Sequence, residues 1–427
     1  MNARTQNGMD SATRRARLAW YAYDLGNTAV EFAIPLYLTI WVVSDLGVDA
    51  RLFGLASAIS SWAIGLSGPY IGVHADETYS RRRWFVASVL VASLLFLVLP
   101  QLPTAGQPAL ISVVVAAMVA NYFFQLSSLI YNASMLQAAS GANVVSVSSL
   151  GLALSFLGGA AGVGIMQLVV SGRVVPGVNG RENALTVAAL IFLGCALPGF
   201  FAERLWQKKN GRIVPSSRGL HRRIAELWRE SSREHKAGWF LAGYFALNSS
   251  IMGITLYLPL YIRSVTGVEG AGLLAASAVV VAASAVGAGF VALLRPTGPQ
   301  VRRLVLFGLT LLGLNALAFS FVATLPQTIL CACLHGLLSG ALVPTVRGAF
   351  AQIFRSEYQA LAFGLFGAVQ RVSQGLGAAL WPLAEAAQAE RSAALGVAAM
   401  GILALLGVPL FARSRFNTLP EVVAERQ

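Results

Sequence analysis

Twelve apolar stretches of roughly 20 residues or more recur along this 427-residue chain, and they leave it few folds to choose from. They run approximately from 18 to 43, 52 to 75, 84 to 102, 108 to 138, 144 to 171 and 184 to 202, then from 238 to 262, 270 to 294, 303 to 322, 326 to 352, 359 to 384 and 392 to 412. A stretch of that length spans a hydrocarbon core of about 30 Å only as a helix, because lipid offers no partner to an unpaired backbone N–H or C=O. Only 11% of the residues are charged and 56% are hydrophobic, against about 25% charged in an ordinary soluble domain. The mean hydropathy of +0.67 agrees. The expectation is an all-α membrane protein with twelve transmembrane helices. The span after the basic N-terminus is too long and too acidic for a signal peptide, so it is expected to stay in the mature protein.

An even number of spans puts both termini on one side, and the basic residues say which. Of the 31 Lys and Arg residues, 24 fall in the tails and the loops on the side of the termini and 5 in the alternate loops. By the positive-inside rule both termini are cytoplasmic. The net charge of +13 is therefore topological, and no soluble basic domain is present to bind nucleic acid. The expected layout is a cytoplasmic tail 1–17, a six-helix bundle 18–202, a basic cytoplasmic linker 203–237, a second six-helix bundle 238–412 and a tail 413–427. Within the linker, Leu220, Ile224, Leu227 and Trp228 recur at helical spacing among arginines. That pattern fits an amphipathic helix on the inner leaflet, in contact with membrane lipids, and equally a solvated linker helix.

Polar residues inside the spans mark candidate sites, because a charge at the bilayer centre costs at least about 2.5 to 3.5 kcal/mol. Asp24, Asn27 and Glu31 lie three and four residues apart, on one face of the first helix. Glu31 falls about 20 Å from the cytoplasmic end of its span, near the midplane. Arg371 in span eleven is similarly central, and Arg347 lies close to the cytoplasmic end of span ten. The two acids and two arginines balance, which serves either to lock helices together or to couple a proton. A buried carboxyl can load and release a proton as a cavity changes face. The expectation is that Glu31 alternates between a proton and either Arg371 or substrate. Asn121, Gln125 and Asn132 on span four, Asn248 on span seven and Gln370 and Gln374 on span eleven complete a polar set. Those residues could hydrogen-bond a small-molecule solute or each other. The glycines from Gly151 to Gly164 in span five allow close helix approach.

The two halves are related. With a constant offset of 221, Tyr23 matches Tyr244, Asn27 matches Asn248, Gly68 matches Gly289, and Arg81 and Arg82 match Arg302 and Arg303. The acids break the repeat, since Asp24 pairs with Phe245 and Glu31 with Met252.

The loop after span two reads GVHADETYSRRRW from Gly72, a Gly, an Asp four residues on and a basic cluster. With the parallel six-plus-six repeat, this resembles the major facilitator superfamily. The resemblance implies the major facilitator fold, a site between the halves near the midplane, and a cytoplasmic gate latched by Gly72, Asp76, Arg81 and Arg82. YDLGNTA in span one, IYNASMLQ and SSLGLALSFLGG across spans four and five, and GLLSGALVPTVRGAFAQIF in span ten are similar to the vacuolar amino-acid effluxer-like permeases, which implies export.

Direct ATP-driven pumping is not expected, for lack of a G-x-x-x-x-G-K-[ST] loop and of a soluble domain to hold one. No enzyme activity and no cofactor is expected. Cys195, Cys331 and Cys333 lie in apolar stretches, and His74 and His335 have no metal-ligand company, so no metal site is expected either. Three classes stay open. The first is a proton-coupled permease, acting as a monomer in a cell inner membrane, that moves a small polar or amphipathic metabolite. The second is a flippase of lipids or lipid-linked precursors. The third is a non-transporting membrane sensor.

Overall fold

The computed structural model describes residues 3–173, 180–206, 220–268, 270–386 and 392–416. Among them every regular element is helical. In chain order these are α1 (Ala3–Ala33), α2 (Ala50–Glu77), α3 (Arg81–Val98), α4 (Gln107–Ala133), the single turn α5 (Met135–Ala138), α6 (Val144–Val170), α7 (Glu182–Phe201) and the single turn α8 (Glu203–Trp206). They continue with α9 (Leu220–Glu234), α10 (Ala237–Thr266), α11 (Gly270–Leu294), α12 (Pro299–Phe319), α13 (Leu325–Ala351), α14 (Gln359–Ala386) and α15 (Ser392–Arg413). Ten stretches among the described residues are long and apolar enough to cross a bilayer, and Ala278–Leu294 of α11 is a shorter apolar one.

Residues 1–17, expected as a tail, are helical from Ala3 onward. The end of that stretch is tied down: Arg17 donates from Nε to the Ala138 carbonyl at 3.0 Å and from its terminal nitrogen to the Ser140 carbonyl at 2.9 Å. These are carbonyls at the close of α5, where a cation is favoured. Past Glu31 the first span loses regular α geometry, with π-helical turns at Ile34–Leu38 and Trp41–Asp45. Pro35 lacks the N–H that would continue the ladder, which is the local cause of the first. Of the linker, α9 is described and residues 207–219 lie outside the described residues, as do 1–2, 417–427 and Arg391.

The chain forms two compact units, and the division does not follow the midpoint of the sequence. The first contains Met1–Ser140, Leu154–Ser217 and Ser356–Ala368; the second contains Gly141–Ala153, Arg218–Arg355 and Val369–Gln427. The start of α6 therefore belongs with the second unit and the start of α14 with the first.

In the first unit α1 packs on α7, α3 on α4 and α7, and α2 on α4. The core is aromatic: Trp20, Tyr23, Phe85, Phe96, Phe124, Tyr131 and Phe192 are buried. Rings of Tyr23 and Tyr131 lie 4.2 Å apart, and those of Tyr23 and Phe85 5.2 Å apart. The glycines of α6 receive α1, since a Cβ on Gly159 would lie 2.7 Å from the Thr28 methyl and one on Gly162 2.8 Å from the Ala29 Cβ.

In the second unit α11 packs on α13, α12 on α13 and α15, and α10 on α15. Ile254, Leu258, Tyr261, Phe319, Val397 and Met400 form its core, and the Tyr261 hydroxyl donates to the Phe319 carbonyl at 2.6 Å. Helices α11 and α13 touch backbone to backbone, Gly340 against the Ser284 carbonyl and Gly287 against that of Leu337.

Candidate functional site

In the first unit the polar face of α1 is a hydrogen-bonded line. Asn27 Nδ2 donates to Glu31 Oε1 at 3.1 Å, the Tyr23 hydroxyl lies 3.3 Å from Asn27 Oδ1, and Tyr23 Oη lies 2.7 Å from Ser127 Oγ of α4. The i, i+4 spacing on a helix makes the first two contacts possible without bending the backbone. Tyr23, Asn27 and Ser127 are buried and Glu31 is exposed. The line thus anchors one oxygen of Glu31, an exposed residue, to the buried side chains of the unit. Asp24 is buried on the same helix, where its backbone carbonyl accepts from the Thr28 hydroxyl at 3.2 Å.

The polar residues of α4 have separate partners. Asn121 donates to Ser60 Oγ of α2 at 3.2 Å, Gln125 donates to Asn121 Oδ1 at 3.4 Å, and Asn132 donates to the Ser128 carbonyl of its own helix at 2.8 Å. Asn121 and Gln125 form one patch; Asn132 is not part of it.

In the second unit Asn248 Nδ2 reaches across to α14, 2.7 Å from Ser373 Oγ and 3.4 Å from the Gln370 carbonyl. Arg371 donates to Gln374 Oε1 at 3.2 Å, and Gln374 Nε2 lies 3.8 Å from the sulfur of Met252. Met252 is the repeat counterpart of Glu31. The two units therefore use equivalent asparagines differently: Asn27 supports an acid on its own helix, whereas Asn248 supports the segment that carries Arg371. Arg347 is engaged with the start of α6, donating to Ser148 Oγ at 3.0 Å and to the Ser148 carbonyl at 2.9 Å.

The motif after α2 holds the start of α14 within the first unit. The carboxylate of Asp76, whose side chain is fully buried, accepts from Arg81 Nε at 2.5 Å, from the Leu361 amide at 3.1 Å and from the Ala360 amide at 3.3 Å. Helix N-termini leave such amides without intrahelical partners and favour an anion. Arg81 also donates to the carbonyls of Glu357 at 2.9 Å and Ser356 at 3.3 Å. Gly72 lets the helices meet, because a Cβ there would strike the backbone of Ala360 and Leu361. Arg82 has a different partner, the Phe200 carbonyl at the end of α7, at 2.8 Å. In the second unit Arg302 holds the end of α15 in the same way, through the carbonyls of Ala412 and Ser414.

Sequence reasoning passed over Tyr23 as a site residue, and also Ser60, Ser127, Ser148 and Ser373, which hold the candidate residues in place. Single hydroxyls in apolar helices carry no periodic signal; the recurrence of Tyr23 as Tyr244 was the one available clue. His335 is buried and neither ring nitrogen has a hydrogen-bond partner among the described residues. Among the described residues no group of His, Cys, Asp and Glu could hold a metal ion.

A family model described as Major Facilitator Superfamily matches residues 24–378. No curated protein matches the chain. Among solved structures, the human organic anion transporter MFSD10 (TETRAN) has a TM-score of 0.69 at 15% identity, covering 94% of this chain and 99% of that one. The E. coli fucose:proton symporter FucP has a TM-score of 0.70 at 11% identity, covering 93% of this chain and 98% of that one. The proton:xylose symporter XylE, bound to 6-bromo-6-deoxy-D-glucose, has a TM-score of 0.65 at 12% identity and covers 98% of each chain. At these identities the likeness is one of fold. With most of its length matched by the family model and its helices arranged as in these carriers, the chain belongs to the Major Facilitator Superfamily, whose members are multi-pass membrane transporters and not enzymes.

Proposed function

We propose that this protein is a secondary active transporter of a small polar or amphipathic metabolite, working by alternating access and coupled to protons through Glu31. The observation that carries this reading is the anchored carboxyl of an exposed residue: Glu31 sits in the first membrane span and accepts a hydrogen bond from buried Asn27. A charge placed there at a cost of a few kcal/mol needs a use that a neutral residue cannot meet. Two transporters of the same fold are described as proton symporters, so the architecture is compatible with proton coupling.

The polar residues Asp24, Asn121 and Gln125 of the first unit and Asn248, Gln370, Arg371 and Gln374 of the second are assigned to solute binding. Asn132 and Arg347 are assigned supporting roles, since Asn132 donates to its own helix and Arg347 to Ser148. The grip of Asp76 and Arg81 on residues 356–361 is assigned as the latch of a cytoplasmic gate, with Gly72 permitting the contact and Arg82 bracing α7 beside it. The asymmetry of Lys and Arg supports an orientation with both termini cytoplasmic for the twelve spans read from the sequence. Export is the direction implied by the likeness to effluxer-like permeases.

Uptake from a whole-cell metabolite extract into proteoliposomes, with and without an imposed pH gradient, tests this reading. Enrichment of one solute that depends on the gradient supports it and identifies the substrate. Equal content with and without the gradient, for every solute resolved, refutes proton-coupled transport.

A further inference from the structure

The line of oxygens leading from Glu31 into the first unit is one hydrogen short. Asn27 Oδ1 lies 3.3 Å from Tyr23 Oη, Tyr23 Oη 2.7 Å from Ser127 Oγ, and Ser127 Oγ 2.6 Å from the Phe124 carbonyl oxygen. The two end oxygens only accept, and each hydroxyl between them has one hydrogen to give. Three contacts share two hydrogens, so one contact stays empty as long as the Asn27 amide nitrogen points at Glu31. With Tyr23 donating to Ser127 and Ser127 to Phe124, the empty contact is the longest, between Asn27 and Tyr23. Water does not fill it from outside, since Asn27 is 5% exposed, Tyr23 1% and Ser127 0%.

Turning the Asn27 amide over repairs the shortage. Nδ2 then donates to Tyr23, Tyr23 to Ser127 and Ser127 to Phe124, and all three contacts are filled. The same turn points Asn27 Oδ1 at Glu31, a contact that needs a hydrogen in its turn. A protonated Glu31 carboxyl carries that hydrogen, and a carboxylate does not.

We propose that protonation of Glu31 turns over the Asn27 amide and completes a hydrogen-bond chain through Tyr23 and Ser127 to α4, making Asn27, Tyr23 and Ser127 positioning residues that register the proton. The proposal rests on Glu31 being the coupling carboxyl. The proton comes from solvent and binds the carboxylate; the other hydrogens keep their covalent partners and only reorient. The chain links α1 to α4, so each protonation state of Glu31 has its own set of directed bonds between two helices of the unit. Asp24 is the ionisable neighbour on α1, the Tyr131 ring of α4 lies tilted 4.2 Å from that of Tyr23, Cys195 of α7 meets α1 at Gly26, and the neighbours from α3 and α7 at Tyr23 are Phe85 and Phe192. Helix α6 has no ionisable residue.

Infrared difference spectra between high and low pH, on the full chain in lipid vesicles with ring-labelled tyrosine, test the chain without knowledge of the substrate. The expected result is a tyrosine C–O band that changes together with a carboxyl band, at one midpoint. Glu31→Gln removes both bands, Tyr23→Phe removes the tyrosine band while keeping the ring packing, and Ser127→Ala weakens the tyrosine change because the turned-over chain has lost its acceptor. Ser127→Thr, which restores a hydroxyl, restores the change. A carboxyl band that Glu31→Gln removes, with no tyrosine band following it, overturns the chain and leaves Glu31 as the coupling group. A spectrum with no band that Glu31→Gln removes, across the pH range in which the protein stays folded, overturns both.

Discussion

Replacing Asp76 by Asn isolates the electrostatic part of the contact at the start of α14. The substitution keeps the side-chain volume in a fully buried position and removes the charge. The carboxylate takes hydrogens from Arg81 Nε and from the amides of Leu361 and Ala360. An asparagine offers one oxygen for these donors and turns an N–H toward the rest. Hydrogen bonds to a charged acceptor contribute about 1.5 to 3 kcal/mol each, so losing one amide bond and weakening the other costs about 3 kcal/mol locally. At about 1.4 kcal/mol per factor of ten, that is a roughly 150-fold larger open population of the first turn of α14. Hydrogen exchange read by mass spectrometry on peptides covering residues 356–366 measures it directly. The expected result is exchange faster by about two orders of magnitude in Asp76→Asn, with peptides from α15 unchanged. Unaltered exchange at 356–366 in a folded variant would refute the assignment of those amides to Asp76.

Three further outcomes follow from other contacts. Asp45 and Arg181 form an exposed pair at 2.6 Å, with side chains 36% and 44% exposed, so solvent screening leaves Asp45→Asn a loss below about 1 kcal/mol and a thermal midpoint within a degree or two of wild type. Gly340→Val forces a Cβ against the Ser284 backbone, where the carbonyl carbon would be 2.6 Å away; overpacking against backbone costs about 1 to 3 kcal/mol or more, and the variant is expected to show a lower melting temperature and a smaller monodisperse fraction on size exclusion. Arg347→Lys loses the fork that holds both oxygens of Ser148, at about 1 to 2 kcal/mol, which reads as roughly tenfold faster exchange over residues 144–150.

The helices were legible because hydropathy is local. The stretch 144–171 stands beside a helix at Val144–Val170, and 270–294 beside one at Gly270–Leu294. The small residues of α6 could likewise be read as places of close approach, and Gly159 and Gly162 meet α1. What local pattern did not contain is pairing over long separations. Asp76 meets the amide of Leu361, 285 positions away, and the start of α6 groups with the second unit although its sequence neighbours belong to the first. Nor did it contain the direction in which a polar side chain turns. Asn121 and Asn132 share a helix face by spacing, yet one donates to α2 and the other to its own backbone. Amphipathic periodicity tells which side of a helix is polar; the partner is decided by whichever acceptor packing brings within about 3 Å. The acids on α1 stood out because a charge in lipid is costly, whereas Tyr23 and Ser127, equally involved, are neutral, and the recurrence of Tyr23 as Tyr244 was their one trace.

The most direct test of the central claim separates exchange from accumulation in proteoliposomes, using the solute that the extract assay identifies. If Glu31 couples the proton, Glu31→Gln keeps counterflow exchange of that solute near the wild-type rate and loses accumulation driven by a pH gradient. Accumulation by Glu31→Gln equal to that of the wild type under the same gradient would contradict the account.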